Sequence, residues 1–406
     1  MSVFEDSLST SESLAAFSDR NLVEAMLRFE AALARAQARC GLIPESAAHS
    51  IAGSCKVELF DVVKIVRDSQ RAGGIAVPLQ KALKEAVGLF NADALPFVLF
   101  GCSEQDLVDS AMALVTRQAL TLIRSDLARA AQALLEQAEC HAATPILARS
   151  RLRPASVTSF GLKCADWAAP LVRSHGRLAE AAERALQIQL GGAVGTLAEM
   201  RGQGAEVRRQ VAAALDLADP GAAWHTQRDE WVALACELGL MVGSLGKMAG
   251  DIALLGQYEV GEVGEVGEPS EAVESADPGR AIGPAAAHRR VPLASIAALA
   301  AAQRVPQRVA ALLAAMPQEH ERGLGGWQAE LAEWPALLMS AHGAVRALAT
   351  VLPALQVDTA RMRANIDRLR AELPRAVADE SFDPGLAEVA SGIALAQVLA
   401  LRARLG

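Results

Sequence analysis

From Asp106 to about Ala143 the chain contains neither glycine nor proline. An uninterrupted run of this kind permits a helix of roughly 35 residues, about 55 Å at 1.5 Å per residue. Comparable segments flank it. A helix capped by Ser18 or Asp19 places Leu22, Met26, Phe29 and Leu33 on one face. It stops at Cys40-Gly41, with Pro44 just beyond. An apolar pattern from Asp229 to about Tyr258 tolerates Gly239, Gly243, Gly246 and Gly250, a spacing that permits close helix approach at some cost in propensity. Further helices are expected from Leu171 to Leu190, Ala294 to Ala315 and Trp327 to Leu352. No alternating pattern of useful length marks a strand. Helices this long, joined by short loops, predict an all-α bundle.

Composition narrows the classes of function. Hydrophobic residues make up 52 % of the 406 residues but aromatics only 4 %, an Ala/Leu-rich mixture suited to close helix packing. No run of about 18 apolar residues is free of charge, so no spanning helix is expected. The start, Met-Ser-Val-Phe-Glu-Asp-Ser, lacks the features of a signal peptide. The excess apolar surface is assigned to subunit contacts, and the expectation is a soluble cytoplasmic oligomer with no membrane partner. A net charge of −8 offers no global basic field for nucleic acid. The six cysteines lack CxxC spacing and read as reduced thiols, so no zinc or other metal site is expected.

Chemistry is expected where polar segments interrupt the helices. Ser103-Glu104-Gln105-Asp106 opens the long helix, with Ser103 and Asp106 spaced for a capping box. The same helix start could face an anionic ligand with its free N–H groups. Arg149, Arg151 and Arg153 precede Pro154, which biases the strip toward an extended form with all three guanidiniums on one side, suited to a polycarboxylate. Solvation at the surface is the alternative. Trp224-His225-Thr226-Gln227-Arg228-Asp229 is denser in polar chemistry than a helix cap requires, and Gln318-Glu319-His320-Glu321-Arg322 is a related cluster. His141 closes the long helix near the arginine strip. Val-Gly-Glu occurs three times between Val260 and Glu268 and reads as a solvated linker. Beyond it, the loop Asp277–Leu293 is Gly/Pro-rich and ends in His288, Arg289 and Arg290, a plausible cationic lid over an anion.

These segments, in this order, resemble the fumarase/aspartase superfamily and its 3-carboxy-cis,cis-muconate cycloisomerase branch. The resemblance rests on Phe29 to Ala36, Gly191 to Leu197, Trp224 to Asp229, Gly243 to Lys247, Glu259 to Val263 and Met316 to Arg322. It implies a three-domain all-α homotetramer whose active sites are each assembled from three subunits. The expected boundaries are 1–100 (N-terminal helical domain), 101–350 (central bundle with an active-site loop over 259–292) and 351–406 (shortened C-terminal domain). It also implies a cofactor-independent cyclisation of a small-molecule tricarboxylate. The expected substrate-binding residues are Ser103, Gln105, Arg149, Arg151, Arg153, Thr196, Gln227, Arg228, Arg289, Arg290, His320 and Arg322. The proton donor is expected among His141, His225 and His288.

The chain also departs from the superfamily's pattern. The mobile loop of the superfamily carries Gly-Ser-Ser-x-Met-Pro-x-Lys-x-Asn-Pro. Anchored on Pro292, this sequence places Gly283 and Pro284 at the two serines, Arg289 at the lysine and Val291 at the asparagine. The family's Thr-Ser pair becomes Ser103-Glu104, and its Asn-Ser pair becomes Gly74-Ile75. Three readings stay open: a cycloisomerase, a diverged lyase on another polycarboxylate, and a non-catalytic paralogue that keeps the scaffold.

Overall fold

The computed structural model describes residue 5, residues 7–265 and residues 291–405. His288, Arg289 and Arg290, and most of the expected lid, lie outside the described residues. The chain begins with α1 (Ser11–Ala16) and α2 (Asp19–Arg39). Ser18 caps α2, accepting from the Asn21 backbone at 3.3 Å, and Cys40 ends it. Met26, Phe29 and Leu33 are fully buried on one stripe of α2. Next come α3 (Glu45–Ser54), α4 (Val62–Ala72) and α5 (Ala76–Gly88), which lead into α6 (Glu104–Cys140), a single helix of 37 residues. A β-hairpin follows, β1 (Pro145–Ser150) with β2 (Arg153–Ser159), and then α7 (Phe160–Ala185), α8 (Gly204–Leu215) and α9 (Asp229–Leu255). The remaining elements are β3 (Val263–Gly264), α10 (Leu293–Ala315), α11 (Gly326–Val351), β4 (Gln356–Val357), α12 (Thr359–Glu372), α13 (Arg375–Ser381) and α14 (Leu386–Leu405).

α6 packs against α7 and α11, and α10 packs against both α9 and α11, so the long helices share one apolar core. The absence of glycine and proline lets α6 run unbroken, and neighbours of similar length bury its Ala and Leu side chains on several faces. Close packing depends on small residues. A Cβ on Gly246 of α9 would lie 2.4 Å from the Ala302 Cβ on α10, so the spaced glycine sets that approach. Trp231 of α9 stacks on Trp334 of α11, ring centroids 4.0 Å apart. A small second core, including Leu147, Val157, Ile366 and Phe382, sits under the hairpin.

Several expectations are corrected. The helix predicted over Leu171–Leu190 starts at Phe160, because Ser159 caps it, and it carries Pro170 inside. Two short strand pairs exist where none was expected, β1 with β2 and β3 with β4, although the fold remains all-α. By length and composition, three helical stretches are apolar enough to cross a membrane: Asp229–Leu255, Gly326–Ala354 and Arg375–Leu405. In the first two, more than half of the apolar window is buried against the rest of the chain, 56 % and 72 %. Bundle burial explains their hydropathy. The third is mostly outside the core, 28 % buried.

The repeat that read as a solvated linker is built into the fold through its second unit. Glu262 is fully buried, and Val263 pairs with Val357. Glu265 accepts from the backbone N–H groups of Ala294 and Ser295 at 3.0 and 2.9 Å. A carboxylate at a helix N-terminus satisfies otherwise orphan donors and complements the helix dipole. Two of the three repeated glutamates thus have structural positions; the third unit, 266–268, lies outside the described residues.

Candidate active site

Ser103 caps α6 and forms the reciprocal box its spacing predicts: its hydroxyl accepts from Asp106 N–H at 3.2 Å, and Asp106 accepts from Ser103 N–H at 2.9 Å. Asp106 does more than cap. It also accepts from the backbone of Gly191 and Gly192 at 3.0 and 2.8 Å and meets His225 Nε2 at 2.6 Å. A Cβ on Gly191 would lie 2.6 Å from His225 Cε1, so the imidazole and this loop need glycine there. The pair is buried, with Asp106 wholly inaccessible and His225 4 % exposed. The arrangement orients the ring by tying one nitrogen to a carboxylate.

Arg322 reaches the same helix end from the segment between α10 and α11. It donates to Ser103 Oγ at 2.9 Å, Gln105 Oε1 at 2.8 Å and the Gly192 carbonyl at 2.6 Å. Burial pulls its guanidinium below the ordinary arginine value, while Asp106 and Asp109 act in the opposite direction. Glu104 lies beside this cap, its carboxyl raised above the usual range by burial.

One turn further along α6, Asp109 receives Arg228 Nη1 at 2.8 Å and the Trp327 indole at 2.8 Å. Arg228 also bridges to Glu330, through Nε at 3.0 Å and through Nη2. Its guanidinium lies 4.4 Å from the Trp224 ring centroid. Burial alone would lower the Arg228 pKa, but Asp109 and Glu330 hold it above the ordinary arginine value. Arg228 was expected to bind substrate. The structure places it 2 % exposed between two carboxylates, so within this chain its guanidinium is committed to Asp109 and Glu330.

Thr196, Gln227 and His320 are exposed around this cluster. The His320 carbonyl accepts from Thr226 Oγ1 at 3.1 Å. The structure therefore brings together Ser103, Gln105, His225, Arg228 and Arg322. It adds Asp106, Asp109, Trp327 and Glu330, which the sequence reading did not assign to the site. Asp106 and Asp109 give a faint local signal, two carboxylates three apart at the start of the helix. Trp327 and Glu330 give none.

His141 and the arginine strip lie at the opposite end of α6, roughly 55 Å away at 1.5 Å per residue. His141 is the C-terminal cap, with Nδ1 3.2 Å from Thr144 Oγ1 and its ring edge-on to Phe160, and burial holds its pKa below the usual imidazole value. The arginine strip is not extended. Arg151 and Leu152 have φ of 53° and 63°, and they turn the chain into a hairpin that pairs Ser150 with Arg153. The three guanidiniums therefore do not line one side of a strand. Arg149 is paired with the fully buried Glu262 at 2.9 Å. Arg151 and Arg153 are exposed at the turn, and neither forms an ion pair with a described residue. Among the described residues, no group of three or more His, Cys, Asp or Glu is arranged to hold a metal ion.

A family model described as Lyase matches residues 4–279. The 3-carboxy-cis,cis-muconate cycloisomerase of Pseudomonas aeruginosa is 42 % identical over 352 residues, covering 87 % of this chain and 75 % of that protein. The protein of the same name from Bradyrhizobium diazoefficiens is 39 % identical over 89 % of this chain and 78 % of its own length. This chain is a member of the fumarase/aspartase superfamily. Its fold matches the crystal structure of the 3-carboxy-cis,cis-muconate lactonizing enzyme from Pseudomonas putida, with a TM-score of 0.87, 33 % identity and 99 % of each chain covered. For a superfamily member of this branch, the cluster at the α6 N-terminus is built from three segments that carry the resemblance: Gly191 to Leu197, Trp224 to Asp229 and Met316 to Arg322.

Proposed function

We propose that the chain is a cofactor-independent cycloisomerase that lactonises a muconate tricarboxylate in the breakdown of protocatechuate through the β-ketoadipate route. One observation carries the reading: likeness to 3-carboxy-cis,cis-muconate cycloisomerases over 87 % of the chain, with a fold matching the Pseudomonas putida enzyme end to end. In this isomerisation a carboxylate oxygen forms the new C–O bond, one carbon–carbon double bond is consumed, and a proton goes to carbon beside a second carboxylate. Such a step calls for cations, oxyanion stabilisers and a general acid. Arg151 and Arg153 are the arginines of the hairpin left free for carboxylates. Arg322 and the α6 N-terminus supply a second anion-attracting region, and His141 and His225 are the described candidates for the acid. Because these groups stand at opposite ends of α6, a site using both draws on neighbouring chains. We read the protein as a homotetramer with shared sites.

The test is direct. Purified protein mixed with 3-carboxymuconate should remove the ultraviolet absorbance of the conjugated diene, and Arg151→Ala should weaken substrate affinity about tenfold or more, a loss of one bidentate carboxylate contact. No turnover in the wild type would sink the reading.

Two observations favour a second reading, a scaffold that binds polycarboxylates without turning them over. No serine occurs between Asp277 and Leu293, and Glu104 places a carboxylate beside the α6 cap. Under that reading, 3-carboxymuconate raises the melting temperature while its spectrum stays unchanged. A diverged lyase differs from both by consuming another polycarboxylate in place of this one.

A further inference from the structure

A cavity of about 690 Å³ opens between α2 and α3, sharing no residue with the clusters at either end of α6. Arg35, Arg39, His49 and Lys56 line it, together with Glu45 and a wall of alanines and one glycine. A second hollow of about 530 Å³ shares Arg35, Arg39 and Lys56 and adds Arg28. The two form one basic groove. Its origin is plain in the sequence: Arg28, Arg35 and Arg39 are spaced by seven and four residues, so they share one face of α2, opposite Met26, Phe29 and Leu33.

These four cations are gathered in one groove with their charges unpaired. Arg28, Arg35, Arg39 and Lys56 are exposed, and none of their side chains forms a hydrogen bond or ion pair with a described residue. Nearby arginines are paired: Arg20 on the same helix meets Glu58 at 2.7 Å, and Arg209 on α8 meets Glu206 at 2.5 Å. Arg35 and Arg39 are like charges four residues apart, which destabilises a helix unless an anion offsets them. Glu45 is the one carboxylate in the groove, so the cluster is positive on a chain whose net charge is −8.

We propose that this groove is a second anion site, which takes a compact, multiply charged anion bearing phosphate or carboxylate groups. Guanidinium forks match both groups bidentately, and the volume lies within the usual range for small-ligand pockets. Among the described residues no Phe, Tyr or Trp lines either hollow, so a nucleobase has only the single His49 imidazole as an aromatic surface. That points away from nucleotides and single-stranded nucleic acid, toward a ligand recognised by charge alone.

The experiment is calorimetric titration of the full chain with pyrophosphate and, separately, with citrate, each compared with potassium chloride at matched ionic strength. One anion should bind saturably and raise the melting temperature as its concentration exceeds Kd. The arm that saturates more tightly identifies the ligand class. The double variant Arg35→Gln/Arg39→Gln should lose at least tenfold in affinity while keeping the circular-dichroism spectrum of the wild type. Should that variant fold poorly, Lys56→Gln alone should weaken binding at least threefold. The proposal is overturned if neither anion acts beyond potassium chloride, or if binding survives the loss of these charges. It is also overturned if citrate binding is abolished by Arg151→Ala instead, which would place the anion at the hairpin.

Discussion

Arg228 shows how a residue that looks made for a ligand can be committed to the fold. It is held by Asp109 and Glu330, which lie 119 and 102 residues away in sequence. No local pattern announces such a triad; the dense polar segment could be read from Trp224 to Asp229, but its partners could not. Removing one member of a buried ion pair leaves uncompensated charge, at a cost of about 3–5 kcal/mol. Arg228→Met should therefore lower the denaturant midpoint strongly, with Arg228→Lys falling between it and the wild type. Equal midpoints for Arg228→Met and wild type would remove the structural role. Glu30 is a second buried group with a measurable signature. It is 2 % exposed, and burial raises its carboxyl from 4.5 to about 8, against the smaller opposing effect of the Leu99 N–H bond. Between those values the folded chain keeps a proton that the unfolded chain has lost. Stability must then fall as pH rises through the window, by roughly 1.4 kcal/mol per unit at its steepest. Glu30→Gln keeps the acceptor for Leu99 and removes the titration. Its melting temperature should match wild type near pH 5 and exceed it at pH 8; a difference that does not grow with pH would count against the assignment.

At the scale of elements, legibility followed how local the determining signal is. The absence of helix breakers marked α6, and Ser103 with Asp106 marked its start to the residue, because a capping box is chemistry within four positions. The hairpin was missed for the converse reason. Arg151 and Leu152 adopt left-handed backbone that non-glycine residues rarely take, so the turn is imposed by its surroundings: the pairing of β1 with β2, the small core beneath them and the Arg149–Glu262 contact. Pro170, Pro306 and Pro335 sit inside α7, α10 and α11, where packing along the bundle outweighs the lost hydrogen bond each one causes. The Ser103 cap yields a prediction at this scale. Ser103→Ala removes both the helix cap and an acceptor of Arg322, so stability should drop by about 1 kcal/mol, the usual worth of such a cap. Ser103→Thr keeps a hydroxyl and should retain most of that stability. If alanine and threonine behave alike in thermal melts, the cap is not what fixes this end of α6.

For the whole molecule, the length of α6 decides what a single chain can do. Ser103 and Arg322 stand at one end and Arg151 and Arg153 at the other, too far apart for one small substrate to touch both. The fold thus gathers the polar segments around Ser103, Trp224 to Asp229 and Arg322 at one end of α6 and leaves the arginine hairpin at the other, so the proposed reaction, if it uses both, draws on neighbouring chains. This arrangement makes a quantitative prediction. A variant impaired at the α6 N-terminus, such as Arg322→Ala, and one impaired at the hairpin, such as Arg151→Ala, should each lose about tenfold or more in rate alone at substrate concentrations well below KM. Co-refolded in equal amounts, they should recover activity, because some sites then draw each region from an unaltered copy. If each site takes the two regions from different subunits at random, the recovered fraction is about one half times one half, or about a quarter of wild type. Rates measured on 3-carboxymuconate before and after mixing decide the matter. Recovery at that level requires sites built across subunits, whereas mixtures no more active than their components would place the complete site inside one chain and contradict the separation that α6 enforces.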